Sequence, residues 1–470
     1  MVQLGAVLKQ INFMNTLFKK LFPIEKEFFP YLLKLAAPIA IEMVLVVVLG
    51  LTDIIMISRF SAEVGVASVS LANQLFNNLL LIFFGLGSGA AVFFSRYWGR
   101  DDFKAMRTTF GLTTALVLVA AVLGMVGFYF GAYWVMSIMS SDPAVVYYGS
   151  QYLRIITISF PFVAVSLTVS SLFRSIEKSH YPMWIAFFTV FFNIFLNWVF
   201  IFGNLGAPAM GVAGAAIAVV VSWVADSALN IILFMSAKNP IRKGFKDYFH
   251  FISPEGFTLL KQFFGLTFFV VVADLMFGLG FTAYRRAFAI AGTEVVAAFA
   301  AVDSFLYIFY TIVVAIAGSC GIVMGIAIGE NNLKRAKLLA KIFIRLNFVS
   351  AIPLALIIFA ILPFIANIFG FSGLTASYLR AAVLLSAILF GLRTLEYLLN
   401  VGILRTGGDV RFYTITQTIT MWVIAVPLIL WLAWLGVPPL LLYSVVILEE
   451  LIRNAICFVR YKNGLWIKQF

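Results

Sequence analysis

The amino-acid sequence predicts an all-α membrane protein of about twelve transmembrane helices, arranged as two six-helix lobes related by a pseudo-two-fold axis along the membrane normal. Hydrophobic residues make up 63% of the 470 residues and charged residues only 11%, whereas soluble domains carry about 25% charged residues. Long apolar runs recur along the whole chain, and one span with its loop takes roughly 35 to 40 residues. The second half of the chain also repeats the pattern of the first half.

Twelve apolar runs are each long enough to cross a bilayer, for which about 20 residues suffice. We place these spans at residues 30–58, 66–96, 106–138, 145–172, 181–203, 210–236, 258–290, 294–328, 336–368, 375–404, 411–435 and 439–460. The predicted organisation is an amphipathic cytoplasmic N-terminal segment (1–29), an N-lobe (30–236), a basic cytoplasmic linker (237–257), a C-lobe (258–460) and a cytoplasmic tail (461–470). The N-terminal segment is broken by lysines and glutamates and lacks the pattern of a signal peptide.

Basic residues are distributed unequally between the two sides of the predicted bundle. One side carries Arg59, Arg285, Arg286 and little else, while most of the other lysines and arginines lie on the side that holds both termini. The positive-inside rule therefore predicts cytoplasmic termini in the cell membrane and an even number of spans. Basic loops also account for the net charge of +13, so we expect membrane lipids as partners and no nucleic acid. We also expect a monomer.

The internal repeat has an offset of about 230 residues. Gly87-Ser88 corresponds to Gly318-Ser319, and the turn from Gly99 to Lys104 corresponds to the turn from Gly329 to Lys334. Because each half contains an even number of spans, both halves enter the membrane from the same side and form a parallel repeat. Two similar lobes around a central cleft favour transport by alternating access, in which the lobes rock against each other.

Other function classes have little support in the sequence. Cys320 and Cys457 fall within predicted spans and His180 and His250 lie in basic loops, so neither a disulfide framework nor a resident metal site is expected. A membrane enzyme, such as a prenyl or acyl transferase, would need a metal-binding aspartate pair or a catalytic histidine within reach of the membrane. Asp101-Asp102 corresponds to Asn331-Asn332 in the repeat and favours a turn, and both histidines lie in basic loops. The chain also lacks the phosphate-binding loop of ATP-driven transporters, and no organic cofactor is expected.

Four motifs, in this order and spacing, resemble the multidrug and toxic compound extrusion (MATE) family. They are Pro38 with the stretch 53–59, the stretch 193–203, the start of the sixth span at 211–216, and the loop 402–409. The resemblance implies an antiporter that exports small amphipathic, often cationic compounds in exchange for inward Na⁺ or H⁺. The alternative is a flippase for lipid-linked oligosaccharides or lipids from the same superfamily, which would need a larger and more basic cleft.

Acidic and amide side chains inside the N-lobe spans are the main candidates for binding the coupling cation. Ionisable residues within a membrane cost at least about 2.5–3.5 kcal/mol, so they are functional candidates by default. Asp53 lies deep in the first span, Asn193 and Asn197 share one face of the fifth, and Asp226 lies in the sixth. The resemblance implies Asp at the position of Asn197 and Thr at that of Val219, so this site would carry fewer charged and hydroxyl ligands.

The C-lobe carries its own set of buried charges. Asp274 lies where the resemblance implies a glutamate, and we expect it to bind the coupling cation or the positive charge of a substrate. Asp303 is a second carboxylate candidate on the eighth span. Arg393 and Glu396 are three residues apart and are expected to pair along one helix.

Further residues are candidates for the substrate cleft. Glu42 lies about 16 Å along the helix from Asp53, too far to share an ion, and either lines the cleft or lies near the cytoplasmic surface. Arg154 is expected to pair with a carboxylate of its lobe. Methionine and aromatic side chains suit flat apolar cations. The candidates are Glu42, Met43, Tyr152, Arg154, Phe277, Asp303 and Glu396, with Phe76 and Phe305 as further aromatic candidates.

Overall fold

The computed structural model describes residues 27–236 and 239–468, which form a bundle of long helices joined by short turns. The predicted segment 1–29 lies almost entirely outside the described residues. The helices are α1 (Phe28–Phe60), α2 (Val64–Gly99), α3 (Phe103–Met139), α4 (Pro143–Ser175), α5 (His180–Phe202), α6 (Val212–Phe234), α7 (Pro254–Ala291), α8 (Thr293–Gly329), α9 (Leu333–Ile361), α10 (Gly373–Ile388 and Phe390–Arg405), α11 (Val410–Trp434) and α12 (Pro439–Lys462). α1 and α2 belong to one uninterrupted helical stretch, Phe28–Gly99.

The predicted all-α membrane fold is confirmed. Among the described residues, ten helices are long and apolar enough to cross a membrane, and the bent α10 brings the number to eleven. α12 completes the set of twelve but is less apolar, because Glu449, Glu450 and Arg453 lie in its middle. These three charges are buried against neighbouring helices, which is how a helix of this composition is accommodated inside the bundle.

One helix in each lobe is broken at corresponding places. α4 narrows to a 3₁₀ turn over Thr157–Ser159, just before Pro161, whose missing N–H interrupts regular hydrogen bonding. α10 is bent by 70° at Leu389, about 230 residues further on. The C-lobe also contains two π-helical segments, Leu398–Arg405 and Ile419–Ala425. Such wide turns are frequently found at functional sites.

The linker between the lobes is fastened to the N-lobe. It contains two 3₁₀ segments, Pro240–Arg242 and Phe245–Ile252. Arg107 of α3 forms an ion pair with Asp247 at 2.6 Å. The Tyr248 hydroxyl donates a hydrogen bond to the Ile241 carbonyl at 2.6 Å, and burial of the side chain raises the pKa of Tyr248 to about 12. These contacts therefore hold the linker against α3 of the N-lobe.

Among the described residues, the two lobes share hydrophobic cores only at one end of the bundle. We call the end that carries Phe28 and Lys462 the terminal face and the opposite end the distal face. Near the distal face, each lobe builds a core from its own residues. Near the terminal face, Leu32 and Leu35 of the N-lobe pack into a C-lobe core, and C-lobe residues such as Phe263 pack into an N-lobe core. The cleft between the lobes therefore widens towards the distal face.

The lobes approach most closely where α2 crosses α8 at the terminal face. A β-carbon added at Gly99 would lie 2.3 Å from the Ile326 carbonyl oxygen, and one at Gly329 would lie 2.1 Å from the Arg96 carbonyl oxygen. Gly99 and Gly329 are equivalent in the repeat, and so are Arg96 and Ile326, since both offsets are 230 residues. The pseudo-two-fold axis passes between these two contacts.

Buried Arg96 reinforces this crossing. Its guanidinium donates hydrogen bonds to the carbonyl oxygens of Thr406 at 2.6 Å and Lys468 at 3.1 Å, both in the C-lobe. Arg100 donates to the Gly329 carbonyl at 3.3 Å. The side chain of Arg96 is only 2% exposed, and these bonds compensate the loss of its hydration.

Substituting Gly329 by alanine should weaken the crossing, because the backbone carbonyl it meets cannot rotate away. We expect Gly329→Ala to lower the stability of the detergent-solubilised protein by about 1–3 kcal/mol, the usual cost of overpacking. Gly318→Ala, on the same helix, is the matched control because a β-carbon there meets nothing within 4 Å. Thermal unfolding measures both variants, and equal melting temperatures would contradict the close crossing.

Candidate functional site

Two ladders of polar side chains face each other inside the N-lobe. Both repeat every four residues, so each ladder follows one face of its helix. The ladders consist of Thr189, Asn193 and Asn197 on α5, and of Ser222, Asp226 and Asn230 on α6, and all six residues are buried. The predicted shared face of Asn193 and Asn197 is thereby observed. Thr189, Ser222 and Asn230 were not predicted, although the same four-residue spacing would have indicated them.

Asp53 meets the first ladder from α1. The Asn197 amide nitrogen donates hydrogen bonds to Asp53 Oδ1 at 2.6 Å and to Asn193 Oδ1 at 2.8 Å. The Asn193 amide nitrogen in turn donates to Ser222 Oγ at 3.1 Å. Asn197 Oδ1 is buried and has no hydrogen-bond partner among the described residues. Three helices thus bring a carboxylate and an unpartnered amide oxygen together inside the lobe.

Asp226 belongs to a second group, one turn along the ladders. It accepts hydrogen bonds from Thr189 Oγ1 and from the Asn230 amide nitrogen, both at 2.9 Å. The Asn230 side-chain oxygen also accepts a bond from Ser170 Oγ at 3.4 Å. The predicted N-lobe residues therefore form two neighbouring groups, of which only the first contains Asp53.

The candidates on α4 face different surroundings. Tyr152 is 1% exposed, and its hydroxyl donates to Asn73 Oδ1 of α2 at 3.1 Å. Arg154 is exposed, and within residues 27–236 and 239–468 it forms no ion pair with a carboxylate. The predicted pairing of Arg154 is wrong, because two positions along a helix separate it from the buried face that carries Tyr152.

Glu42 and Met43 lie near the middle of α1, closer to the terminal face than Asp53 does. Both carboxylate oxygens of Glu42 accept hydrogen bonds from Arg174 of α4, at 2.7 and 2.8 Å. Met43 packs with Ile39 against Ala315 of α8, so it lies where the two lobes meet. At the start of α1, the Tyr31 hydroxyl donates a hydrogen bond to Glu177, in the turn that follows α4, and further fastens α1 to the N-lobe.

The predicted pairing of Arg393 with Glu396 along α10 is wrong. Arg393 instead forms a two-pronged ion pair with Glu450 of α12, at 2.6 and 3.0 Å. Glu396 pairs with Arg453 of α12 at 2.7 Å. The two helices pack side by side, and partners on a facing helix offer better geometry for a planar guanidinium than the next turn of the same helix.

Hydroxyl groups complete this double pair between α10 and α12. Ser386 and Tyr443 both accept hydrogen bonds from Arg393, at 2.8 and 3.1 Å. The Tyr413 hydroxyl donates to Glu396 at 3.0 Å. Glu396, only 8% exposed, is therefore part of the packing between helices and does not line an open cleft.

Other C-lobe candidates are more dispersed. Asp274 of α7 pairs with Arg405 at the end of α10, at 2.8 Å. Asp303 of α8 is half-buried, in the electrostatic field of Arg285 and Arg393. Phe277 and Phe305 are half-buried against the distal C-lobe core. Phe76, in the N-lobe, stacks on Phe160 with ring centres 5.6 Å apart.

The described residues contain no group of three or more histidine, cysteine, aspartate or glutamate side chains placed to hold a metal ion.

Comparisons with known proteins agree with the two-lobe architecture. The family model MatE matches twice, over residues 38–199 and 270–431. The chain is 25% identical over 470 residues to the uncharacterized transporter YisQ of Bacillus subtilis (strain 168), covering 98% of this chain and 99% of that protein. It is 25% identical over 412 residues to the multidrug resistance protein NorM of Vibrio vulnificus (strain YJ016), covering 84% and 86%.

Solved structures show the same fold. A MOP superfamily transporter from Pyrococcus furiosus superimposes with a TM-score of 0.82 and 18% identity, covering 92% of this chain and 95% of that chain. An outward-facing multidrug resistance MATE family transporter gives a TM-score of 0.82 and 17% identity with the same coverage. The two matched segments of the family model begin 232 residues apart, in agreement with the predicted repeat.

Because the double ion pair between α10 and α12 is buried, we expect substitution of its arginine to cost much more stability than substitution of an exposed arginine. Arg393→Ala should destabilise the protein by about 3–5 kcal/mol, because it leaves Glu450 buried without a counter-charge. Arg335→Ala is the control: its pair with Glu330 is exposed and contributes about 0–1 kcal/mol. The double variant Arg393→Met/Glu450→Met should recover much of the loss. Thermal unfolding in detergent tests this, and equal losses for Arg393→Ala and Arg335→Ala would contradict it.

Proposed function

The chain belongs to the MatE family of transporters, and from this premise we propose that it is a secondary active antiporter of the cell membrane. It exports small amphipathic, often cationic compounds in exchange for inward Na⁺ or H⁺. Family membership and the apolar helices make it an integral membrane transporter. Relatives that carry the name multidrug resistance protein support drug-like substrates for this chain too.

The observation that carries the proposal is the contact between Asp53 and Asn197. A carboxylate inside a membrane is costly unless a cation, a proton or hydrogen bonds compensate it. Asp53 accepts a hydrogen bond from the Asn197 amide, and Asn197 Oδ1 has no hydrogen-bond partner among the described residues. Oxygen atoms are the ligands that hard cations prefer. A sodium ion held by Asp53 and the asparagine oxygens, or a proton on Asp53, would neutralise this charge.

Neutralisation of Asp53 couples the ion to the movement of the lobes. Asp53 lies on α1, and the other end of α1 packs between the lobes through Leu35 and Ile39. A change in the hydrogen bonds of Asp53 therefore acts on the helix that contacts both lobes. The ion and the drug drive exchange because each stabilises a different state of the protein.

The direction of exchange follows from the orientation of the helices. The positive-inside rule puts the terminal face in the cytoplasm, since most basic loops lie there. The cleft then widens towards the outside of the cell. In this state Asp53 is loaded from outside while a drug leaves the cleft. After the lobes rock, the ion is released to the cytoplasm and the next substrate binds.

A flippase for lipid-linked sugars, the other candidate, would need cationic side chains free to bind phosphate groups. The buried arginines of the C-lobe are already engaged by carboxylates: Arg393 by Glu450, Arg453 by Glu396, and Arg405 by Asp274. These pairs leave no unpaired positive charge at those three positions, and we therefore favour the antiporter.

Removing the charge of Asp53 should abolish gradient-driven export. In proteoliposomes with Na⁺ and pH gradients imposed separately, the wild-type protein should export a fluorescent cationic dye in response to one of the two gradients. We expect Asp53→Asn to lower the rate at least about 100-fold, since loss of an essential neutralisation step costs several kcal/mol and 1.4 kcal/mol is a factor of ten. Asp101→Asn is the matched control, because Asp101 is exposed with a positive φ that asparagine adopts readily.

Wild-type rates in both Asp53→Asn and Asp101→Asn would contradict the assignment of Asp53 while leaving transport intact. Absence of dye export from the wild-type protein under either gradient would contradict the antiporter itself.

Introducing a carboxylate at position 197 should strengthen binding of the coupling cation. Asn197→Asp places a second negative charge 2.6 Å from Asp53, and like charges this close favour a bound cation or a shared proton. We expect the ion concentration that gives half-maximal dye export to fall by about tenfold, equivalent to about 1.4 kcal/mol. Titration of the driving ion tests this, and an unchanged half-maximal concentration would remove Asn197 from the cation site.

A further inference from the structure

In the part of the chain that the structure describes, each lobe contains one ion pair that joins its first helix to its fourth, and the two pairs are equivalent in the repeat. Glu42 of α1 pairs with Arg174 of α4 at 2.7 Å, and Asp274 of α7 pairs with Arg405 of α10 at 2.8 Å. The carboxylates are 232 residues apart and the arginines 231. The same offset separates the two matched segments of the family model. Both pairs therefore occupy one structural position in the two lobes.

The two pairs differ in what else the arginine contacts. Arg405 also donates a hydrogen bond to Ser88 Oγ of α2, in the other lobe, at 2.7 Å. The hydrogen bonds of Arg174 go to Glu42 within its own lobe. The Arg405 side chain is 5% exposed, while that of Arg174 is 23% exposed. Only the C-lobe pair is therefore built into the contact between the lobes.

The π-helical segment explains why Arg405 contacts the other lobe while Arg174 does not. Arg405 ends the wide turns of Leu398–Arg405, whereas Arg174 lies in the regular α-helical part of α4. A π-helical turn holds more residues than an α-helical turn and therefore rotates the side chains that follow it. The two arginines therefore make different contacts although they occupy equivalent positions in the repeat.

We infer that Arg405 is a positioning residue that holds the lobes together at the terminal face, and that a cation bound at Asp274 releases it. This inference rests on the proposed exchange of cations and drugs. Asp274 is the carboxylate within ion-pair distance of Arg405 in the part of the chain that the structure describes. When a cation occupies Asp274, the buried guanidinium loses its counter-charge and must move towards water. That movement breaks the bond to Ser88.

Release of Arg405 opens the terminal face after a cation has entered from the distal face, which is the order of events that exchange requires. In the present state Asp274 is 22% exposed, and the cleft between the lobes widens towards the distal face, so a cation can reach Asp274 from that side. Loss of the Arg405 contact then favours separation of the lobes at the terminal face, where the cation leaves. Once Asp274 is empty again, it re-forms its pair with Arg405 and the lobes close.

The test measures the distance between the lobes by double electron–electron resonance, without any transport assay. Spin labels are placed at Lys104→Cys and Lys334→Cys, which are exposed, equivalent in the repeat and located at the terminal face of each lobe. The full-length protein in nanodiscs also carries Cys320→Ala and Cys457→Ala, so that only the two labels react. The wild-type background should give mainly the short distance of the closed terminal face.

Four variants distinguish the role of the C-lobe ion pair from that of the N-lobe ion pair. Arg405→Gln and Asp274→Asn should raise the ratio of long to short distances by roughly three- to tenfold, as expected for loss of one or two hydrogen bonds. Ser88→Ala, which leaves the ion pair intact, should produce a smaller change in the same direction. Arg174→Gln is the matched control and should leave the ratio unchanged. Size-exclusion profiles confirm that each variant is folded.

Equal distance distributions in Arg405→Gln and Arg174→Gln would overturn the inference, as would an unchanged ratio in Asp274→Asn. If the ratio shifts as expected but no dye is exported by the wild-type protein, the role of Arg405 stands and the proposed antiport fails. If dye export is driven by a cation gradient but the ratio does not shift, the antiport stands and the role of Arg405 fails.

Discussion

Two helices can pack backbone against backbone only where small side chains allow it, and α2 and α8 do so at Gly99 and Gly329. The contact lies on the pseudo-two-fold axis, since each glycine meets the residue that is equivalent to the one met by the other. Around this point the N-lobe and C-lobe share their hydrophobic cores, whereas towards the distal face each lobe packs on its own. The cleft between the lobes exists because the close contact is confined to one end.

Several buried charges in this molecule are paired with an opposite charge, whereas Asp53 and Asp226 accept hydrogen bonds from amide and hydroxyl groups. Carboxylates and guanidiniums between α10 and α12, and between α7 and α10, are paired with each other. Such pairs fix the arrangement of helices, because removal of either partner leaves a costly charge. Asp53 has only the Asn197 amide as its hydrogen-bond donor among the described residues. A cation can therefore bind Asp53 without displacing an arginine, whereas a cation that binds Asp274 must displace Arg405.

The sequence predicts the helices, the two lobes and the repeat well, because composition and spacing determine them. It also predicts that Asn193 and Asn197 share a face, since four residues make roughly one helical turn. The sequence does not predict the ion-pair partners correctly. Arg393 pairs with Glu450 instead of Glu396, and Arg154 pairs with no carboxylate that the structure describes. Partner choice depends on how neighbouring helices are rotated against each other. The 70° bend and the π-helical turns of α10 set that rotation, and neither was predicted from the sequence.

Under the proposed antiport, a cation bound in the lobes controls the crossing of α2 and α8 from a distance. Hydrogen–deuterium exchange of the wild-type protein in nanodiscs, with and without the driving cation, reports on the cation site and on the crossing in one experiment. We expect the cation to change exchange of the backbone amides near Asp53 and also of those in the crossing, around Gly99 and Gly329. If exchange changes near Asp53 while the crossing is unaltered, the cation does not control the crossing.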